Sequence, residues 1–281
     1  MLHFLAENFE ERHFDAYKQF MKNEKSFSDF TIHKRCQVIK QVVKWGKKEK
    51  LIPENTLEFI RLKEPKATKL IYLNNTQFEQ LCTHKFKTRL RQEVADVFIL
   101  CCRTGFHYAD IKKVIKAGGM ETIGLDGKSW IYNDRVKTDV TAKVPLFPEV
   151  KQIVEKYGGW KNIPIRPNKT MNEVLKLIAD ELQFPEELAK KISVKAGRKT
   201  IADYLRNEKG WGTDELKIFL GINNAKYVEC YSKADERKVI SAILKSGLKV
   251  SPPSTAYIAG KMFGNGIYGA INSSKSLGYT Y

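Results

Sequence analysis

Acidic residues are too few for the basic ones: 32 Asp and Glu stand against 49 Lys and Arg, a formal net charge of +17 over 281 residues. An imbalance of that size steers a protein toward polyanions, and nucleic acid is the polyanion expected here. A membrane surface would also attract it, but no apolar run approaches the roughly 18 residues that span a bilayer. The opening Met1-Leu2-His3-Phe4-Leu5-Ala6-Glu7 turns acidic too soon for a secretory signal. Cysteine is scarce and odd in number (Cys36, Cys82, Cys101, Cys102 and Cys230), with no C-x-x-C pair. That excludes a recognisable disulfide framework or zinc site and suits a reducing, cytoplasmic setting. The five histidines show no H-E-x-x-H spacing, and there is no P-loop. Neither a metal nor another cofactor is expected.

What the chain does contain is mostly helical periodicity. Phe9, His13, Phe14, Tyr17 and Phe20 recur at helical spacing, as do Ile32, Cys36, Ile39 and Val43. Ser28, Asp29 and Thr31 supply N-cap chemistry for the second of these helices. Its length carries Lys34, Arg35, Lys40, Lys44, Lys47 and Lys48 with almost no acid for i,i+4 pairing, a pattern expected of a phosphate-contacting face. The expected organisation is a helical DNA-binding domain over 1–62, a charged linker over 63–72 around Pro65, a larger domain over 73–250, and a Gly/Ser/Tyr-rich tail over 251–281. Asn74 or Asn75 caps the first helix of the larger domain. Between Ile123 and Leu146 the pattern shortens to strands, with Asp126-Gly127 as a turn and Pro145 marking an edge. The fold class expected is mainly α with a small three-stranded antiparallel sheet.

Four blocks in this order carry a family resemblance. Thr104-Gly105-Phe106-His107-Tyr108-Ala109-Asp110-Ile111 is similar to T-G-x-R-x-[SA]-[DE]-[IL], with His107 at the Arg position and Asp110 at the acid position. Arg135-Val136-Lys137-Thr138, followed by Lys143-Val144-Pro145-Leu146, is similar to a K-T…V-P-L hairpin. Lys195-Ala196-Gly197-Arg198-Lys199-Thr200-Ile201-Ala202 is similar to H-x-x-R-x-T-x-A, with Lys195 at the His position. Leu220-Gly221-Ile222 through Tyr231 is similar to L-G-H…T-x-x-Y, with Ile222 at the His position and Val228 at the Thr position. Together the blocks resemble the tyrosine recombinase (phage integrase) family of mobile elements.

The resemblance implies a helical core-binding domain and a catalytic-type domain that close as a clamp on DNA, with no cofactor. It implies Tyr231 as nucleophile, forming a 3′-phosphotyrosine, with Lys137 as general acid and Arg198 as a phosphate-binding donor. Lys195 remains a cationic donor, and Asp110 supports the site. His107 shortens the reach of an arginine and loses its fork. Asp110, three residues on, is expected to favour its imidazolium, and Arg103, one turn earlier, is an alternative donor. Arg103 and Arg135 are counted with the DNA-binding residues. A tetramer on DNA, joined through the C-terminal helix, is implied as well. Two functions follow: a site-specific recombinase or integrase, or a catalytically impaired or inactive DNA-binding paralogue that regulates or occludes recombination sites.

Overall fold

A computed structural model describes residues 10–65 and 69–246. Phe9, part of the expected linker and the tail over 251–281 lie outside the described residues. The described chain forms two compact units, one running up to Lys69 and the other starting at Leu70.

The first unit is built on α1 (Glu11–Asn23) and α2 (Asp29–Lys48). Ser28 caps α2, its hydroxyl accepting from the Thr31 N–H at 3.3 Å. Phe14 and Met21 from α1 meet Ile32, Cys36 and Val43 from α2, with Ile52 and Leu57 closing the cluster. Burying each of the larger side chains contributes roughly 1.5–3 kcal/mol, which is what joins two short helices that would be marginal alone.

The second unit begins with α3 (Asn75–Thr83), capped by Asn74, and α4 (Arg89–Thr104). Every residue of α4 from Glu93 to Thr104 is buried. A helix apolar or paired on all sides belongs at the centre of a core, and α4 packs against α6 (Pro148–Lys156), α7 (Asn168–Glu181) and α9 (Lys195–Asp203). The α4–α9 approach is so close that a Cβ on Gly197 would lie 2.8 Å from the Cys101 Cβ. α5 (Tyr108–Ala117) follows α4, and α8 (Glu186–Lys191) packs on α7.

Three antiparallel strands, β1 (Glu121–Ile123), β2 (Ser129–Asp134) and β3 (Thr141–Pro145), form a sheet in the order β1-β2-β3. The Asp126 carboxylate organises the β1–β2 turn by accepting from the Lys128 N–H at 3.1 Å and the Trp130 indole at 2.8 Å. Pro145 sits on β3, an edge strand, where a missing N–H costs no ladder bond. Beyond α9 come a π-helical turn (Tyr204–Glu208), α10 (Thr213–Leu220), a 3₁₀ turn (Ala225–Cys230) and α11 (Glu236–Ser246). No helix among the described residues is long and apolar enough to cross a membrane.

Candidate functional site

α4 ends at Gly105, whose φ of 69° is the left-handed conformation that glycine accepts without strain. α10 ends the same way at Gly221, with φ of 58°. Arg198, on α9, ties these two helix ends together: its Nη1 donates to the Gly105 carbonyl at 2.9 Å and its Nη2 to the Leu220 carbonyl at 2.6 Å. The two carbonyls are orphans of helix termination, and a buried arginine satisfies both.

Tyr231 follows the 3₁₀ turn, its N–H bonded to the Val228 carbonyl at 2.9 Å. Its ring lies over Arg198, 4.5 Å from Cζ to centroid. Arg198 is fully buried. Burial pushes its pKa down to about 10, against the opposing attraction of the Tyr231 oxygen. Arg206 braces the tyrosine segment, donating to the Ser232 carbonyl and, at 2.7 Å, to Glu229. Ile222 and Val228, which stand where the family pattern has polar residues, are buried.

His107 caps α5 with extended backbone, and its ring centroid is 6.3 Å from that of Tyr231. Burial lowers its pKa to about 4, helped by Arg198, Arg135 and Lys195, while Asp110 alone raises it. The expectation that Asp110 keeps this imidazole charged is therefore corrected: two guanidiniums and desolvation outweigh one carboxylate. Asp110 is buried; it accepts the Val136 N–H at 2.8 Å and stands 3.7 Å from Arg135 Nε.

Arg135, expected among the DNA-contacting surface cations, is instead buried beside this centre, its Nη1 donating to the Gly221 carbonyl at 3.3 Å. Sequence reasoning missed its place there, because a basic residue just past a strand carries no mark of burial. Lys137 and Lys195 are exposed, Lys137 on the β2–β3 turn and Lys195 at the start of α9. Lys137 forms no hydrogen bond or ion pair with any described residue. The structure thus brings together Tyr231, Arg198, His107, Asp110 and Arg135, and leaves the Lys137 side chain exposed on the β2–β3 turn.

Arg103, expected as a DNA-binding residue or an alternative donor to the site, is buried. It is engaged elsewhere: its Nε and Nη2 hold Glu149 at 2.9 and 2.6 Å, and its guanidinium lies 3.9 Å from the Phe78 ring centroid. In the first unit, Lys34 and Arg35 lie over the rings of Phe30 and Phe27. Lys40 donates to the Ile60 carbonyl and Lys47 pairs with Glu58 at 3.3 Å. Lys44 and Lys48 are exposed without an ion-pair partner among the described residues. α11 docks on its own chain, with Arg237 pairing Asp203 and Glu208 and Ser241 donating to the Glu208 carbonyl at 2.9 Å. No group of His, Cys, Asp and Glu able to hold a metal occurs among the described residues.

No family model and no curated protein matches the sequence. Solved structures do match. The Tn1549 transposon integrase in complex with a circular intermediate DNA is 15% identical with a TM-score of 0.63, covering 85% of this chain and 86% of that one. The XerH site-specific recombinase bound to palindromic difH substrate is 14% identical with a TM-score of 0.60, covering 84% and 70%. A lambda integrase dimer bound to a core site is 13% identical with a TM-score of 0.57, covering 83% of each. At such identities the likeness is one of fold, and the fold of this chain is that of the tyrosine recombinases.

Proposed function

We propose that this chain is a DNA-binding recombinase of the integrase type, which cleaves and rejoins one strand at a time through Tyr231. The observation that carries the reading is the stacking of Tyr231 on Arg198, from segments 33 residues apart, beside His107 and Asp110. The phenol oxygen would attack phosphorus and form the tyrosyl ester, while the 5′ oxygen leaves and takes up a proton from Lys137 on the β2–β3 turn. The phenol proton passes to solvent. Arginine donors neutralise the charge that develops on the non-bridging oxygens, and the covalent intermediate conserves the bond for rejoining. The first unit, with Lys44 and Lys48 unpaired among the described residues, would hold the flanking duplex. Assembly on DNA as a tetramer is part of the proposal, although the cis docking of α11 gives no support to exchange through that helix. The proposed setting is the cytoplasm.

Two observations favour a second reading, a DNA-binding protein that occupies recombination sites without strand transfer. His107 is held neutral where a fork of donors is expected, and Arg198 is covered. The two readings separate on nicked suicide duplexes carrying sequences that the protein selects from a random pool. A covalent adduct that disappears in Tyr231→Phe supports transfer; retained binding with no adduct supports occupation alone.

A further inference from the structure

Two arginines and one carboxylate make up the buried charge of the centre. Arg135, Arg198 and Asp110 are each buried, and His107, on which all three act, is neutral. The sum is one uncompensated positive charge in a desolvated place, which is costly unless an anion completes it. The hydrogen-bond inventory agrees. Among the described residues, the buried side-chain polar atoms with no partner belong to Asn133, Arg135, Arg198 and Arg206. Asn133 and Arg135 lie two residues apart, on one face of β2 and its extension. Arg135 spends only Nη1 on the protein; its Nε is 3.7 Å from Asp110, beyond hydrogen-bond reach, and its Nη2 donates to no described group.

The mounting of the two arginines is also shared. Arg198 is fixed to the carbonyl of Leu220 and Arg135 to that of the next residue, Gly221. A Cβ on Gly221 would approach Arg135 Cδ to 2.9 Å, so the glycine is what lets the hairpin arginine lie against the end of α10. Both guanidiniums are thus held by consecutive carbonyls, with Asp110 steadying one and the Tyr231 ring lying over the other.

We propose that Arg135 replaces, from the β2–β3 hairpin, the arginine that position 107 lacks, and that Arg135 and Arg198 together grip one phosphodiester monoanion. The inference rests on the strand-transfer reading for its catalytic consequence, but not for anion binding. The guanidinium reaches the site from a different element, so a neutral His107 and a complete clamp are compatible. The phosphodiester supplies the missing negative charge and accepts the unused donors of both arginines.

Two measurements test it. On the selected suicide duplexes, Arg135→Gln should lower the rate of adduct formation about 10²–10³-fold. With a neutral methylphosphonate at the scissile position, the same substitution should cost less than about tenfold, because the charge it serves is gone. Equal losses on both substrates, or none on either, would overturn the proposal in favour of a hairpin brace. The second measurement needs no catalysis. In full-length Tyr231→Ala, which removes the ring lying over Arg198, dimethyl phosphate should shift the His107 imidazole resonances and raise their titration midpoint. Adding Arg135→Gln should abolish the response. A wild-type protein without adduct sinks strand transfer alone; an imidazole that ignores dimethyl phosphate, or responds equally without Arg135, sinks the clamp. Arg135→Lys, which keeps the charge and loses the fork, serves in either measurement if the Gln variant does not fold.

Discussion

Tyr231 lies over Arg198, with 4.5 Å between the ring centroid and Cζ, and that arginine is fully buried. The same contact that gathers the nucleophile and its cation also closes the cation to a phosphate. The ring therefore has to move before an incoming phosphodiester reaches Arg198.

That cover is testable with an arginine reagent. Phenylglyoxal attacks uncharged guanidine, and burial holds Arg198 down at about 10. Arg198 should stay unmodified in the wild type and in Tyr231→Phe, which keeps the ring. In Tyr231→Ala it should become one of the faster-reacting arginines, read by peptide mass spectrometry. Equal protection in all three would show that something other than the ring shields it.

The His107 imidazole should stay neutral in the free protein until the pH falls near 4. The groups acting on it are Arg198, Arg135 and Lys195, which lower its pKa, and Asp110, which raises it. Asp110→Asn should move the NMR titration midpoint further down, and Arg135→Gln should move it up. The linkage has a definite sign. The unfolded chain takes up a proton near 6.5 and the folded chain only near 4, so stability should rise with pH across that window. A midpoint near 6.5 in the folded protein would contradict this account.

Gly197 tests the packing that carries Arg198. Gly197→Ala puts a methyl group 2.8 Å from the Cys101 Cβ and 2.9 Å from its backbone carbon, neither of which can rotate away. Overpacking of this kind costs about 1–3 kcal/mol. Urea denaturation should show that loss, and the displaced helix should lower adduct yield as well.

Much of the frame was legible because its signals are local. Ser28 and Asn74 are caps whose partners lie three residues away, and Asp126-Gly127 makes its turn within a few residues. The family resemblance carried the expectation that Lys137, Arg198 and Tyr231 meet; Tyr231 lies over Arg198, whereas Lys137 bonds to no described residue. What stayed hidden depends on partners far along the chain. Arg103 and Arg135 look alike as basic residues, yet one is held by Glu149 and the other by Asp110 and Gly221. No periodicity reports a partner 46 or 86 residues away. The fate of His107 was misjudged for the same reason: its neighbour in sequence, Asp110, was visible, whereas the two guanidiniums that overrule it were not.

The contrast between Arg103 and the α2 lysines gives the last prediction. Arg103 is buried, bonded to Glu149 and stacked on Phe78, so Arg103→Met should leave Glu149 without its partner. A stability loss of about 2–4 kcal/mol is expected. The salt dependence of DNA binding should not change, since no phosphate contact is lost. Lys44 and Lys48 sit one helical turn apart, exposed and without an ion-pair partner among the described residues. Replacing both by Gln should leave stability nearly unchanged. It should also flatten the plot of log affinity against log salt by about two, roughly one for each phosphate contact removed. Fluorescence anisotropy across a salt series, beside a urea melt of each variant, measures both quantities. If the Arg103 variant flattens the slope, or the lysine pair does not, cations that read DNA have been confused with cations that hold the fold.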